Sequence, residues 1–199
     1  LLRQLLEGNI FSHGEVMYRR SLYERVGGYR VFFEFAQDHD LWLRMSQYAR
    51  AAKVPEKLYV RYAFPDGVSV AYRKRARQMC LSDFAVACAR RRLTHGKDFL
   101  EEYGVIGIRF RPRSPQLARR LSGLAHQAIR NGEMNDAYWI VGLSIKEKVI
   151  PRNVFLGFLL WCTVRKSWLS ADQLRALMHA THRIISWLRS ALGPGRVAT

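Results

Sequence analysis

An α/β portion followed by an all-α-helical one is the architecture this sequence predicts, and three observations carry it. Two short alternating runs, Val16 to Arg20 and Leu58 to Tyr62, read as strands on either side of a segment with helical periodicity. From Ala71 onward the pattern is helical. The charge changes at the same place. Residues 1–70 hold 10 Lys/Arg and 8 Asp/Glu, a net of +2, whereas the chain as a whole carries +17, so +15 falls after residue 70. The expected boundary lies there, with a first domain over 1–72 and a basic helical extension over 73–199.

Taken in order, residues 1–8 end a helix that Gly8 stops, and Asn9 to Gly14 is loop-like. In the first strand Val16 and Tyr18 face one way and Met17 the other. Ser21 and Glu24 have capping-box spacing, so a short helix is predicted from Ser21, with Gly27 or Gly28 as its left-handed cap. Val31 to Phe35 is too aromatic for a solvated loop and packs on the core or shapes a pocket. Asp38 and Asp40 open the next helix, whose apolar face is Leu41, Met45, Tyr48 and Ala52, widened by Trp42 and Ala49. Pro55 blocks its continuation, and Phe64 to Ser69 holds the Asp-Gly of a tight turn.

Further helices are predicted over Tyr72 to Leu93, stopped by His95-Gly96, and over Lys97 to Tyr103. Arg109 to Pro115 is a basic, Pro-broken linker. Gln116 to Asn131 and Glu133 to Lys148 form a helical hairpin. Leu124, Gly132 and Ala137 have tetratricopeptide-like spacing, but in a single copy, so a short apolar hairpin is the better reading. Val154 to Val164 is an apolar run of 11 residues. A bilayer span takes about 20. The run is a core helix or an interfacial segment flanked by Arg152, Arg165 and Lys166. A last helix runs from Ser170 to about Leu192.

An apolar content of 49% excludes wholesale disorder. The opening LLRQLLEGN has no Met and no features of a signal peptide, so the chain reads as a piece cut from a longer one. Cys80 and Cys88 lie eight residues apart on one predicted helix, about 12 Å, too far for a disulfide. With Cys162 they read as buried reduced thiols of a cytosolic protein. The basic surface seeks phosphates on nucleic acid, anionic lipid or nucleotide sugars, and charge alone does not choose among them.

Single residues then come into view. Free backbone N–H groups at a helix mouth favour an ionised carboxylate, so Asp38 or Asp40 can accept a proton from a bound hydroxyl, or serve only as an N-cap. Asp40 and Arg44, four apart, form an intrahelical ion pair. His39 between two acids suggests a metal, but neighbours on a helix diverge, which favours a solvated or supporting histidine. His13 is a pocket residue or an ordinary loop histidine, and Arg19 and Arg20 are phosphate contacts or surface charge.

The ordered set HGEVMYRRSLYERVGGYR, QDHDLWLR and VPEKLYVRYAFPDGVS resembles the C-terminal half of the catalytic domain of family 2 glycosyltransferases, over roughly residues 8 to 72. In that family a strand ending in two basic residues precedes a VGGY turn. An acidic pair then opens a helix carrying DLWLR, and a Pro-Glu-x-Leu strand follows. Gln37 departs from the pattern at the first acid, while Asp38 matches the second, the family's catalytic base.

The resemblance implies a partial GT-A, Rossmann-like fold lacking its N-terminal half. It implies inverting transfer of a sugar from a nucleotide-sugar donor to a hydroxyl acceptor, in surface or lipid-linked glycan synthesis at the cell envelope. Asp38 would be the base, with His13, Gln37, His39, Asp40 and Arg44 near substrate. A divalent metal, Mg or Mn, is expected in the intact enzyme with its ligands mostly outside this chain. No strand followed by DxD is present, nor a Gly-rich phosphate loop, so the chain alone is expected to bind donor poorly and turn over nothing.

The expected location is cytoplasmic, peripheral at the inner membrane face, with the basic helices against anionic lipid. The alternative is a non-enzymatic basic helical module binding nucleic acid or a protein partner. Against nucleic acid, the helices show no RNA motif, zinc spacing or aromatic–basic ladder.

Overall fold

A computed structural model describes residues 1–60, 62, 71–165 and 167–178. Among the described residues the chain is mostly helical and contains no strand, so the predicted α/β, Rossmann-like portion is not formed. The reason is visible at the two predicted strands. Val16 (φ −104°, ψ 130°) and Arg19 (φ −71°, ψ 133°) do adopt extended dihedrals, but Arg20 already begins a helix. Residues 58–60 and 62 have no regular structure, and Tyr62 is 75% exposed. Alternation selects extended backbone, whereas a strand also needs a neighbour to complete its hydrogen-bond ladder. The predicted turn over 64–69 lies outside the described residues.

The described chain forms two compact units, Leu1–Leu117 and Ala118–Thr199. The first contains α1 (Leu2–Glu7), a 3₁₀ turn (His13–Glu15), α2 (Arg20–Arg25), a second 3₁₀ turn (Val31–Phe33) and α3 (Gln37–Met45). It continues with α4 (Tyr72–His95), α5 (Phe99–Tyr103) and a third 3₁₀ segment (Gly104–Phe110). The sequence boundary at 72/73 therefore falls inside this unit. Phe84, Ala85, Cys88 and Ala89, one face of α4, share a core with Leu5, Phe33, Leu41, Leu43 and Phe99. Phe84 lies 5.8 Å from Phe33 and 6.1 Å from Phe99, ring centre to ring centre. Each such ring contributes about 1.5–3 kcal/mol by leaving water, which is what draws α4 onto α3. Burial also pushes the Cys88 thiol up to about 12, and no disulfide joins the three cysteines.

Local signals are met in part. Gly96 (φ +76°) ends α4 as the left-handed cap. The Ser21–Glu24 box is not used, because Arg19 is the N-cap of α2 and its carbonyl accepts from Leu22 N–H and Tyr23 N–H. A box does form at α5, where Asp98 Oδ1 accepts from Leu100 N–H and Glu101 N–H and Glu101 Oε2 accepts from Asp98 N–H. Helix α3 stops at Met45 instead of reaching Ala52, and Tyr48 turns outward under the Arg25 guanidinium, 4.1 Å from the ring centre.

Both glycines of the VGGY turn are left-handed, Gly27 at φ +76° and Gly28 at φ +66°. A Cβ on Gly27 would meet open space, while one on Gly28 would lie 2.8 Å from the Tyr23 hydroxyl, which accepts from Tyr29 N–H. Gly27→Ala should therefore cost about 1–2 kcal/mol of backbone strain, and Gly28→Ala more. Valine at either position should cost more again. Melting temperatures that rank Gly28→Ala no lower than Gly27→Ala would refute this account of the turn.

The second unit continues α6 (Pro115–Arg130) with α7 (Met134–Glu147), α8 (Pro151–Val164) and helical residues 171–178. The predicted hairpin of α6 and α7 is present, turning through Gly132 at φ +85°. The Ser144 hydroxyl donates to the Ala118 carbonyl (2.7 Å), joining the end of α7 to the start of α6. Buried Asn153 Nδ2 donates in turn to Ser144 Oγ (3.0 Å) and the Lys148 carbonyl (2.7 Å), fixing the entry of α8. Leu156 and Leu160 of α8 are buried, as the core-helix reading predicts for part of its surface. The last predicted helix is described only through residue 178. Among the described residues no helix is long and apolar enough to cross a membrane.

Candidate active site around Asp38

Asp38 is the second residue of α3, and its N-cap is Ala36, so Asp38 is not the helix cap. Its Oδ1 accepts from His39 N–H (2.8 Å) and its Oδ2 from Asn9 Nδ2 (2.9 Å). The carboxylate is half-buried, so an oxygen held by only one protein donor remains within reach of solvent. Asn9 stands on the loop after α1 and its own Oδ1 accepts from Phe11 N–H (3.2 Å), which sets the side chain toward α3.

A cluster of rings begins one helical turn further along α3. Trp42, one turn along α3, packs edge-on to Phe11, His13 and Tyr18 at 6.3, 6.4 and 5.6 Å. Tyr23 stacks on Tyr18 and meets Tyr29 edge-on at 5.6 Å. His13 Nε2 and the Tyr29 hydroxyl are hydrogen-bonded at 2.8 Å. Burial holds the Tyr29 hydroxyl above its ordinary range, helped by the hydrogen bond to Tyr18 and the charge of Asp38, so it stays a protonated donor. The Trp42 indole N–H is buried without a hydrogen-bond partner among the described residues. Tyr59 lies against Gly14, where any Cβ would collide with its hydroxyl.

Beneath the cluster a buried ion network locks α3 to the VGGYR turn. Arg30 holds Asp40 with two donors, Nε at 3.0 Å and the closer Nη2, and its Nη1 donates to Asp98 at 2.7 Å. Arg44 donates to Asp40 through Nε (3.0 Å) and Nη2 (2.8 Å) and also caps the Val26 and Gly28 carbonyls. The predicted Asp40–Arg44 pair is thus present, but as the centre of a network with Arg44 only 5% exposed. Arg92 completes it through Asp98 and Glu101. Burial opposes the Arg30 charge, yet the hydrogen bond and charge of Asp40, with Asp98, leave it above its ordinary value. For Arg44 burial wins and lowers it, with Arg30 and Arg92 adding repulsion to the attraction of Asp40.

No family model, curated protein or solved structure matches this chain.

Of the residues singled out in the sequence, the structure places His13 in the ring cluster against Trp42 and Tyr29, and Asp38 one helical turn before Trp42. It places Asp40 and Arg44 underneath, fully engaged with other protein groups. His39 is 1% exposed: Nε2 donates to the Leu5 carbonyl (2.8 Å) and Nδ1 pairs with Ser82 Oγ (2.6 Å), pinning α1 and α4 to α3. It is neither solvated nor placed to touch a substrate. Gln37 is half-buried, and its Oε1 has no hydrogen-bond partner among the described residues. Arg19 is exposed, and Arg20 pairs with Glu24 on the surface.

Sequence reasoning missed Asn9, Tyr29 and Trp42 as site residues. Trp42 was legible only as part of an apolar stripe, and nothing local links Asn9 to a helix 29 residues away. Phe35 before α3 holds φ +67°, rare for an aromatic residue, and Gln78 Nε2 donates to its carbonyl at 2.9 Å.

The resemblance places the ligands of the expected Mg or Mn mostly outside this chain. Among the described residues no three His, Cys, Asp or Glu side chains group around a common point. Asp40 is occupied by two guanidinium groups and both His39 nitrogens are taken.

Asp98 makes the network pH-sensitive. Burial alone would raise its carboxyl, but the charge of Arg30, the Glu101 N–H and Arg92 outweigh it and hold it below the usual range. A depressed folded pKa contributes stability that is present above the unfolded value near 4 and lost as pH falls through the folded one. Stability should fall on acidification below about pH 4. In Asp98→Asn it should be lower at neutral pH and less acid-dependent, as urea denaturation across this range would show. An acid slope unchanged by the substitution would remove Asp98 from that role.

Proposed function

We propose that this chain is the acceptor-side portion of a glycosyltransferase, resembling family 2 enzymes, with Asp38 as general base. The observation that carries the reading is the Asp38 carboxylate itself: half-buried, held by Asn9 and by the first turn of α3, close enough for its charge to act on Tyr29, and one helical turn before Trp42, against which His13 packs. Aromatic faces and a few polar edges suit the apolar C–H faces and hydroxyls of a sugar. A base needs a fixed position, and the Arg30–Asp40–Arg44 lock supplies it by removing freedom from α3 and the turn it faces.

In the reaction, Asp38 takes the proton of the acceptor hydroxyl as that oxygen forms its bond to the anomeric carbon of the donor sugar. The bond from that carbon to the nucleotide phosphate breaks on the opposite face, and the diphosphate leaves with the electron pair. Configuration inverts. Tyr29 and His13, hydrogen-bonded to each other, orient acceptor hydroxyls. The nucleotide-sugar donor, a glycan or lipid-linked acceptor, and a place in cell-envelope glycan synthesis are part of the same proposal.

The test is acceptor-dependent release of nucleoside diphosphate from a panel of nucleotide sugars by the intact protein. Release that requires both acceptor and an intact Asp38 supports the reading. Release equally fast in Asp38→Asn, or none with any donor, refutes it.

A further inference from the structure

The outward surface of α8 carries a feature that the Asp38 site does not use. Asn153, Leu156 and Leu160 turn inward and are buried, so the opposite side of the helix faces out. There Val154, Phe155 and Phe158 follow one another along the axis, and the two phenylalanines are 58% and 56% exposed. Trp161 continues the line, stacked on Phe158 at 6.3 Å, and Trp168 meets it edge-on at 5.7 Å while remaining 67% exposed. An apolar stripe of this length left open to water is uncommon and marks a contact surface. Arg152 and Arg165, both exposed, stand at its two ends.

We propose that this face of α8 lies flat on an anionic lipid bilayer, its phenylalanines in the acyl boundary and its tryptophans at headgroup level. The helix is too short and too one-sided to cross a bilayer, and a segment with an apolar face, aromatic residues and flanking cations has the composition of one that lies in the interface plane. Charge selects the occupant. Residues 118–199 contain 12 Lys/Arg and 4 Asp/Glu, so the part of the chain that carries the stripe has a net charge of +8. A second copy packed symmetrically on this stripe would bring that like charge together, whereas phosphatidylglycerol or a similar headgroup neutralises it. The attachment is independent of the sugar-transfer reading and stands or falls on its own test.

The purified full chain should co-sediment with mixed phosphatidylcholine–phosphatidylglycerol vesicles, bind pure phosphatidylcholine vesicles far more weakly, and come off partly as salt is raised. Brominated lipids should quench tryptophan fluorescence. Because Phe155 and Phe158 are exposed, Phe155→Ser with Phe158→Ser should leave the melting temperature nearly unchanged, reduce binding about tenfold or more, and diminish the quenching. Binding indifferent to that double substitution, or binding without quenching, would reduce the contact to general electrostatic attraction and overturn the proposal. So would a dimer that the double substitution dissolves, or a preference for RNA over the vesicles at physiological salt.

Discussion

Asp38→Asn in the intact protein is expected to lower kcat about 10²-fold or more, the scale on which a lost general base is felt. The substitution is close to isosteric. The amide keeps one acceptor oxygen in place of two, so it retains either the bond from Asn9 or the bond from His39 N–H and loses the other. That costs stability only about 1 kcal/mol, and the folded structure should survive it. The donor KM should barely move, because in the proposed reaction this carboxylate meets the acceptor hydroxyl. Gln37 beside it is an amide and cannot take over the proton. A kcat within a few-fold of wild type would remove Asp38 from the mechanism, and a rise in KM alone would make it a binding residue.

Asp40→Ala should be the most damaging single change in the first unit. Two guanidinium groups, those of Arg30 and Arg44, meet on this one carboxylate, and both are largely buried. Removing it leaves the buried Arg44 charge without a carboxylate and Arg30 with Asp98 alone, a loss of about 3–5 kcal/mol. For a unit of this size that lowers the melting temperature by on the order of 10 °C or more. The paired change Asp40→Ala with Arg44→Met separates charge from packing. It removes one stranded cation, so it should recover part of the loss even though the Val26 and Gly28 carbonyls lose their donor. A single substitution that costs less than about 1 kcal/mol would show that the network does not hold α3 in place.

The spacing Gly27-Gly28-Tyr29-Arg30, Asp40, Arg44 was legible as a turn, a helix mouth and an i,i+4 pair. Each is a local property, set by a missing Cβ, a free N–H or one helical turn. That the three form a single lock was not legible, because Arg30 reaches Asp40 across a loop and Asp98 from 68 residues away. The same limit explains His39. Its neighbours in sequence are acids, which suggest a metal and leave a solvated or supporting histidine as the favoured reading, while its partners in space are Leu5 and Ser82. The strands failed for a related reason: extended dihedrals at Val16 and Arg19 are local, but a ladder needs a second chain segment alongside.

By itself the sequence determined where most helices begin and end, the left-handed turn at Gly27-Gly28, the hairpin through Gly132, and the candidate base at the mouth of α3. All of these rest on interactions within a few residues, whose strength does not depend on the rest of the fold. Tertiary structure alone decided that α4 belongs with α3, that Asp40 and Arg44 are buried in an ion network, and that Asn9 holds Asp38 while His13 packs on Trp42. Those outcomes follow from burial of Phe33 and Phe84 and from pairing of charges that could not be buried singly, and both depend on residues brought together only by folding.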